Sequence, residues 1–319
     1  MEFNASAIAA EAERQAIRAA VADPTAAARA VSATHPGLPE LALLLSPAAD
    51  QLLETMALKA RRITRRHFGR NISLYAPLYL SNHCSSGCAY CGFASDRRQP
   101  RRHMSPAEMT SEMDALQGMG FEEVLLLTGE RTPEVGFDYL RQAVLPAAER
   151  FHQVTLETFP MCTQEYAELA RLGAVGVTAY QETYDAATYT AVHRWGPKKD
   201  YQRRLDVPAQ ALAAGMRSVG LGVLLGLADP LLDALCLYQH AQHLQRQYWR
   251  AGISISFPRL RPEAGGFQPR HQVDDRFLAR MIYAFRICLP EVSLVLSTRE
   301  APAFRDGMAG VGINKMSIA

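Results

Sequence analysis

The chain has 319 residues, of which 48% are hydrophobic and 21% are charged, and its formal net charge at pH 7 is +2. This composition is ordinary for a globular protein, and the small net charge implies no general attraction to nucleic acid or membrane. Glu11 and Glu13 interrupt the N-terminal apolar stretch, so it does not read as a secretory signal. The longest apolar run, residues 219–228, is too short to cross a bilayer. We therefore expect a cytoplasmic protein.

Helices are predicted at the N-terminus, before any strand. An alanine-rich helix is expected over about residues 5–22, followed by Pro24 and a linker that ends at residues 35–37. A second helical region is expected over about residues 48–68, because apolar residues recur there near helical spacing. We predict that residues 1–70 form a helical extension of the domain that follows.

Short apolar runs then alternate with amphipathic helical patterns over residues 71–319. The predicted strands are residues 74–80, 124–128, 154–157, 175–180, 219–225, 253–257, 294–297 and 311–316. The helical patterns between them include residues 105–120, where Ser105 and Glu108 are placed to form a capping box. This order favours an α/β fold, a parallel (β/α)8 TIM-type barrel. A doubly wound open sheet is the alternative, because periodicity does not show closure.

Three of the six cysteines, Cys84, Cys88 and Cys91, follow the first predicted strand with the spacing C-x3-C-x2-C. Thiols clustered in this way predict metal or redox chemistry, and three thiolates leave one iron of a four-iron cluster without a protein ligand. A shared helix face is disfavoured by the glycines in the segment. A structural zinc site would need a fourth ligand, for which the adjacent His83 is poorly placed.

The remaining cysteines are scattered singly along the chain. They are expected to be ordinary packing residues: Cys162, Cys236 and Cys288.

With Tyr90 before the last cysteine, the motif C-x3-C-x-aromatic-C resembles that of radical S-adenosylmethionine (SAM) enzymes. The resemblance implies a [4Fe-4S] cluster on the three cysteines, with SAM chelated at the open iron through its amino and carboxylate groups. Reductive cleavage of SAM would then give methionine and a 5′-deoxyadenosyl radical. The resemblance also implies the following SAM-binding residues: Thr128, Gly129 and Glu130 for the amino group, Arg204 (or its neighbour Arg203) for the carboxylate, Glu182 for the ribose, and the run containing Gly222 and Leu224 for the adenine.

Seven stretches in order resemble one family over nearly the whole chain, 2-iminoacetate synthase, the tyrosine lyase of thiamine thiazole biosynthesis. They are LLSPAA, YAPLYLSN, CGF, LLLTGE, YQETYDAATY, ISFPRLRP and LSTREAPAFRD. The resemblance implies cleavage of the Cα–Cβ bond of L-tyrosine to 2-iminoacetate (dehydroglycine) and p-cresol, after the deoxyadenosyl radical takes a hydrogen from the substrate amine. The 2-iminoacetate would then pass to thiazole synthase.

Substrate-binding residues follow from the same resemblance. Arg299 matches an arginine that holds the substrate carboxylate, and Tyr79 and Ser317 match positions that line the pocket. Arg259 and Arg261 are expected either to bring charge to the pocket or to form structural ion pairs.

The family continues beyond its last strand, whereas this chain stops at Ala319. We therefore expect the closing helix and tail to be absent, and a non-catalytic SAM-binding or iron–sulfur module is one alternative. A tryptophan-processing relative of the 3-methyl-2-indolic acid synthase type is another. A [FeFe]-hydrogenase maturase is disfavoured, because it needs C-terminal cysteines and none follows Cys288.

Arginines form two clusters, which are listed here by position: 61, 62, 65, 66 and 70, and then 97, 98, 101 and 102. Solvated surface is the simple interpretation of both clusters. A sharper hypothesis is that the second cluster steers an acidic electron donor, such as flavodoxin or ferredoxin, towards the cysteines. Nucleic-acid binding is not expected, because no aromatic residues are interleaved with these arginines.

Overall fold

Eight parallel strands close into a barrel at the centre of the fold. In the computed structural model, which describes residues 3–261 and 266–318, the strands pair in chain order and the last pairs with the first. Their bounds are β1 Ser73–Tyr79, β2 Glu123–Leu127, β3 Gln153–Glu157, β4 Ala174–Thr178, β5 Ser218–Gly222, β6 Gly252–Ser256, β7 Ser293–Leu296 and β8 Lys315–Ser317. The predicted TIM-type barrel is thus confirmed, and the open-sheet alternative is wrong.

Successive side chains of each strand alternate between the lumen of the barrel and the surrounding helices. In β3, Val154 and Leu156 are buried in the outer core, whereas Thr155 faces the lumen. Small residues such as Gly220 and Ser254 on β5 and β6 leave a cavity of about 210 Å³ in the lower half of the lumen. The opposite end, where the strands finish, is the end at which TIM barrels place their chemistry.

Helices cover the outside of the barrel. They are α1 Ala5–Ala20, α2 Pro24–Ser32, α3 Leu38–Leu45, α4 Leu53–Phe68, α5 Pro106–Gly118, α6 Phe137–Arg150, α7 Thr163–Arg171, α8 Ala186–Val192, α9 Tyr201–Ala213, α10 Pro230–Gln247, α11 Asp275–Cys288 and α12 Pro302–Met308, with 3₁₀ turns at Pro47–Leu52 and Pro197–Lys199. The N-terminal helices pack on the last long ones, α1 on α10 and both α3 and α4 on α11. The capping box of Ser105 and Glu108 forms at the start of α5, as predicted.

Three local predictions need correction. The segment expected as a linker contains α2, because Pro24 occupies the first helical position and the Asp23 side chain accepts a hydrogen bond from the Ala26 amide. The last strand was expected over residues 311–316 but begins at Lys315, since the chain turns at Gly310 and Gly312, which have φ of 69° and 130°. The short helices α8 and α12 were not predicted.

In the part of the chain that the structure describes, no single helix is long and apolar enough to cross a membrane. Helices Leu38–Leu45 and Pro47–Phe68 reach the necessary length and apolar character only when they are taken together, and they are bent by 81° relative to each other.

Candidate active site

The three clustered cysteines lie in the loop after β1, at the C-terminal end of the barrel. All are free thiols, with Cys88 buried and Cys84 and Cys91 partly exposed. Backbone amides point at two of the sulfurs: the Ser86 and Glu130 amides donate to Cys84 Sγ at 3.5 and 3.3 Å, and the Phe93 amide donates to Cys91 Sγ at 3.4 Å. Hydrogen bonds to the sulfurs are a recurrent feature of iron–sulfur sites and tune their potential. This donor set fits a cluster held by thiolates.

The arrangement does not favour the zinc and helix-face alternatives. Within residues 3–261 and 266–318, no group of three or more His, Cys, Asp or Glu side chains is placed to hold a single metal ion. His83 instead faces Glu134, with Nδ1 3.7 Å from the Glu134 carboxylate. The cysteines lie in irregular structure and not on a helix. Thiolates that each bind a different iron of a cluster need not converge on one ion.

Burial opposes the ionisation of two of the thiols, Cys84 and Cys88. It raises the pKa of Cys84, and it raises the pKa of Cys88 to about 12. These thiols are therefore neutral at pH 7 in the absence of metal, and coordination to iron is what would ionise them.

Two arginines after the cysteines hold the shape of the cluster loop. Arg97 and Arg101 donate to backbone carbonyls between residues 89 and 94 at distances of 2.6 to 3.3 Å. Two of the four arginines in this cluster, for which solvated surface was the simple interpretation and donor steering a hypothesis, thus form part of the framework of the loop. Arg98 and Arg102 remain exposed.

Gly129 is required by close contact between the loops after β1 and β2. A Cβ atom at this position would lie 2.4 Å from the His83 carbonyl oxygen and 2.6 Å from Cys84 Cβ. The family resemblance implied that Gly129 belongs to the site for the SAM amino group, and the structure shows that it contacts the loop that carries the cysteines. Its neighbour Thr128 donates its hydroxyl hydrogen to the Gly129 carbonyl at 3.0 Å.

Tyr90 is buried beneath the cysteine loop, where its hydroxyl lies 2.8 Å from Nε2 of His193. The other ring nitrogen of His193, Nδ1, lies 2.8 Å from the Tyr189 carbonyl oxygen and must donate to it. Nε2 therefore accepts from Tyr90, and burial lowers the pKa of His193 to about 3, so the ring is neutral. Sequence reasoning did not find His193, which is separated from Tyr90 by 103 positions.

Arg204 and Glu130 form a buried, loosely paired couple at the barrel mouth. Arg204 Nη1 lies 3.6 Å from Glu130 Oε1, and Arg204 Nε donates to the Tyr180 carbonyl at 3.0 Å. Arg204 Nη1 and Glu130 Oε2 are buried without any hydrogen-bond partner among the described residues. Arg203, by contrast, is exposed and donates to the Pro160 carbonyl at 3.3 Å. The geometry therefore favours Arg204 over Arg203 as the inward-facing arginine.

Glu182 lies after β4 and is paired with Lys198, whose Nζ is 2.6 Å from Glu182 Oε1. Burial alone would raise the pKa of Glu182, but the positive charges of Lys198 and Arg204 together outweigh it and the pKa is lowered. The same contact raises the pKa of Lys198 despite its burial. Both groups are therefore charged. Lys198 lies in a 3₁₀ turn and was not predicted from the sequence.

Gly222 and Leu224 lie at the end of β5. A Cβ atom on Gly222 would be 2.6 Å from Cδ1 of Tyr180, so the glycine makes room for that ring in the lumen. Leu224 is buried in a small apolar cluster with Cys88 and Tyr90. This side of the barrel mouth is thus apolar and in contact with the cysteine loop.

The predicted substrate residues lie at the ends of neighbouring strands: Tyr79 ends β1, Ser317 ends β8, and Arg299 lies in the loop that follows β7. Ser317 is buried and hydrogen-bonded to the Tyr75 hydroxyl, while Tyr79 and Arg299 are exposed. The Arg299 charge is felt by Tyr79 and by Glu157, the last residue of β3. Burial raises the pKa of the Glu157 carboxyl. Glu157 was missed, although an acidic residue at the end of a barrel strand is a recognisable signal.

Arg259 and Arg261 were expected either as pocket charges or as ion pairs, and the structure supports the second. Both contact the carboxylate of Glu300, Arg259 through two nitrogens and Arg261 at 2.9 Å. Glu300 is buried and adjacent to Arg299, so these pairs fix the backbone from which Arg299 projects.

The isolated cysteines divide into two kinds. Cys236 and Cys288 are buried in the core, as expected for packing residues. Cys162 is exposed immediately before α7, so its predicted packing role is wrong.

Comparison with known proteins agrees with this geometry. Residues 78–230 match the family model of the radical SAM superfamily, and residues 256–319 match that of the Biotin and Thiamin Synthesis associated domain. The 2-iminoacetate synthase of Escherichia coli (strain K12) is 44% identical over 290 residues, which are 91% of this chain and 77% of that protein. The 2-iminoacetate synthase of Salmonella typhimurium (strain LT2) is 42% identical over the same shares. An X-ray structure of the FeFe-hydrogenase maturase HydG from Carboxydothermus hydrogenoformans superposes with a TM-score of 0.91 at 27% identity, covering 100% of this chain and 77% of that one.

Proposed function

The chain belongs to the 2-iminoacetate synthase family of radical SAM enzymes, and from that premise we propose that it cleaves the Cα–Cβ bond of L-tyrosine. The products are 2-iminoacetate and p-cresol, and the first of these serves thiamine thiazole biosynthesis. The observation that carries the proposal is the 44% identity across 91% of the chain. It is supported by a free cysteine triplet at the functional end of a closed barrel.

The family uses a [4Fe-4S] cluster and SAM, and the residues present suit both. The cluster, when bound, supplies the electron that splits SAM into methionine and a 5′-deoxyadenosyl radical. Cys84, Cys88 and Cys91 would hold it, with amide hydrogen bonds to two of their sulfurs. Leu224 and Tyr90 pack with Cys88 in an apolar cluster on this side of the barrel mouth.

The buried couple of Glu130 and Arg204 suits the amino-acid end of SAM. Glu130 Oε2 offers an unpartnered acceptor for an ammonium, and Arg204 Nη1 offers an unpartnered donor for a carboxylate. Glu182 would accept from the ribose hydroxyls, with Lys198 keeping it ionised. Gly222 and Leu224 would face the adenine.

The substrate end is formed by Tyr79, Arg299 and Ser317. Arg299 is exposed at the barrel mouth, so its guanidinium is accessible to the carboxylate of tyrosine, for which its planar geometry is suited. Ser317 and Tyr79 would line the pocket on either side of it. The Arg259–Glu300 pair holds the Arg299 backbone in place.

The direct test is anaerobic incubation of the reconstituted enzyme with SAM, dithionite and L-tyrosine, followed by analysis for p-cresol and 5′-deoxyadenosine. Both products are expected, and omission of tyrosine removes the p-cresol. A parallel reaction with L-tryptophan serves as the control for substrate class. Indole products from tryptophan without p-cresol from tyrosine would overturn the substrate assignment, and absence of 5′-deoxyadenosine from both reactions would overturn the enzyme assignment.

We also propose an acidic electron donor of the flavodoxin or ferredoxin kind, thiazole synthase as the consumer of 2-iminoacetate, and a cytoplasmic location. The free thiols are consistent with a reducing compartment.

Because Arg97 and Arg101 hold the loop, the proposed docking surface for the electron donor is tested with Arg98→Glu and Arg102→Glu together. We expect slower, less salt-dependent reduction by flavodoxin with unchanged reduction by dithionite; an unchanged flavodoxin rate would refute the steering role.

A further inference from the structure

The backbone at Glu182 is strained. It has a φ of 69°, and no other non-glycine residue in the described ranges has a positive φ. This conformation is unfavourable for a residue that has a side chain, and it persists only where the surroundings enforce it. Such strain is concentrated at functional sites, and Glu182 is the residue proposed above to bind the SAM ribose.

Two contacts enforce this conformation from opposite sides. On the barrel side, the Leu224 amide donates to the Glu182 carbonyl at 2.8 Å. On the outer side, the two residues that follow Glu182 both donate to one carboxylate oxygen, Asp233 Oδ1. The Tyr184 amide lies 2.7 Å from it and the Thr183 hydroxyl 3.0 Å. The strained residue is thus held between β5 and the first turn of α10.

Asp233 is not the residue that caps its own helix. The N-cap of α10 is Asp229, whose side chain accepts from the amides of Leu231 and Leu232 at 2.8 and 3.1 Å. Asp233 is only 2% exposed, and burying a carboxylate is costly unless it is used. Its hydrogen bonds on the described part of the chain go to Thr183 and Tyr184, so its energetic contribution lies there.

We propose that Asp233 is a positioning residue for SAM binding: it fixes residues 183 and 184 so that Glu182 keeps its left-handed conformation and presents its carboxylate beside Lys198. This inference rests on the proposed role of Glu182 at the SAM ribose. Without the acceptor, a buried amide and a buried hydroxyl would lose their partner, and the backbone could relax to negative φ. The Glu182 carboxylate would then leave its place at the barrel mouth.

The strength of the effect follows from the bonds lost. Leaving a buried donor without its acceptor is costly, so the loss of even one of these bonds in the SAM-bound geometry corresponds to a fall in affinity of about tenfold or more. Asparagine keeps the acceptor oxygen, so Asp233→Asn should retain most of the positioning. Asp233 also lines a cavity of about 490 Å³ between α1 and α10, which leaves room to hydrate the new amide group.

The test measures SAM affinity by calorimetry on cluster-loaded protein, together with the thermal stability of each variant. Asp233→Ala should raise the SAM Kd about tenfold or more, whereas Asp233→Asn should stay within about threefold of wild type. Thr183→Val removes the hydroxyl that donates to Asp233 and that also accepts from the Asp185 amide at 3.1 Å, and it should give an intermediate loss of SAM affinity. Asp229→Ala is the matched control: it removes two hydrogen bonds from the same helix and should lower Tm with little change in SAM Kd.

The proposal is overturned if Asp229→Ala weakens SAM binding as much as Asp233→Ala, because general destabilisation of α10 would then explain both. Should Asp233→Ala fail to fold, Thr183→Val decides, since an unchanged SAM Kd in that nearly isosteric variant contradicts the positioning role. The Kd comparison does not depend on turnover. If wild-type protein binds SAM but makes no p-cresol, the proposed reaction fails while the role of Asp233 is still measured.

Discussion

Replacing Gly129 with alanine tests whether the loops after β1 and β2 must touch for the cluster to bind. The added Cβ would lie 2.4 Å from the His83 carbonyl oxygen and 2.6 Å from Cys84 Cβ. Ordinary contact begins at 3.4 Å, so one loop must retreat by about 1 Å. Neither neighbouring atom is at the end of a flexible side chain. The displacement therefore falls on the backbone that carries the first cluster ligand.

Gly129→Ala should have two effects, one on the stability of the fold and one on a hydrogen bond to Cys84 Sγ. Overpacking of this kind typically destabilises by about 1–3 kcal/mol, which should lower the Tm of the metal-free protein by at least about 2 °C. A retreat of about 1 Å would also break the 3.3 Å hydrogen bond from the Glu130 amide to Cys84 Sγ. Cluster incorporation should therefore fall more than the modest loss of stability alone would cause.

Gly92 supplies the matched control within the cysteine loop, because a Cβ there would meet nothing within 4 Å. The measurements are iron and sulfide content after anaerobic reconstitution, and the Tm of the metal-free protein. We expect Gly129→Ala to lose most of its iron and Gly92→Ala to keep wild-type content. If Gly129→Ala matches Gly92→Ala in both measurements, the contact between the loops is not needed and the reasoning fails.

Three further predictions concern single side chains. Cys84→Ala should lose the cluster absorbance and the iron. The control variant Cys162→Ala, which changes an exposed thiol, should retain both. A normal iron content in Cys84→Ala would refute the ligand assignment. Arg204→Lys should weaken SAM binding by about tenfold or more, because lysine lacks the bidentate donor geometry, while Arg203→Lys should have little effect; equal losses in the two would contradict the assignment. Burial raises the pKa of Asp233 from 3.8 to about 7. Between pH 3.8 and about pH 7 the folded protein therefore binds more protons than the unfolded chain, and its free energy of unfolding falls as the pH rises through this range. The Tm of Asp233→Asn relative to wild type should accordingly rise between about pH 5 and pH 8, and a constant difference would show that Asp233 is not titrating in this way.

The elements with a strong local pattern could be predicted from the sequence. The alternation of apolar runs with amphipathic helices predicted all eight strands of the barrel. A strand of a parallel sheet is buried on both faces, and its sequence is therefore a nearly continuous apolar run. The cysteine spacing predicted a cluster site for a similar reason, because the proposed ligands come from one short segment. Glu130 and Arg204 were found through family resemblance, and the structure adds that they face each other.

What the sequence did not predict depends on contacts between distant segments. Lys198 lies in a short 3₁₀ turn with no periodic signal, and its importance comes only from its contact with Glu182. His193 has meaning only beside Tyr90, and Asp233 only beside residues 183 and 184. The opposite error occurred at Arg97, where a charge cluster suggested surface although the guanidinium bonds to loop carbonyls. Charge patterns in a sequence do not distinguish a solvated arginine from one that organises backbone.

The charges at the barrel mouth explain why paired residues suit this chemistry better than single ones. SAM and tyrosine each carry an ammonium and a carboxylate, so each brings charges of both signs into a buried site. Glu130 and Arg204 offer the complementary signs, and their 3.6 Å separation is longer than a hydrogen bond. Glu130 Oε2 and Arg204 Nη1 lack partners, so they would give the ammonium and the carboxylate of SAM one charged partner each without leaving a buried charge unpaired. Glu182 and Lys198, at 2.6 Å, are already closely paired, which suits a residue that must stay ionised while it meets uncharged hydroxyls.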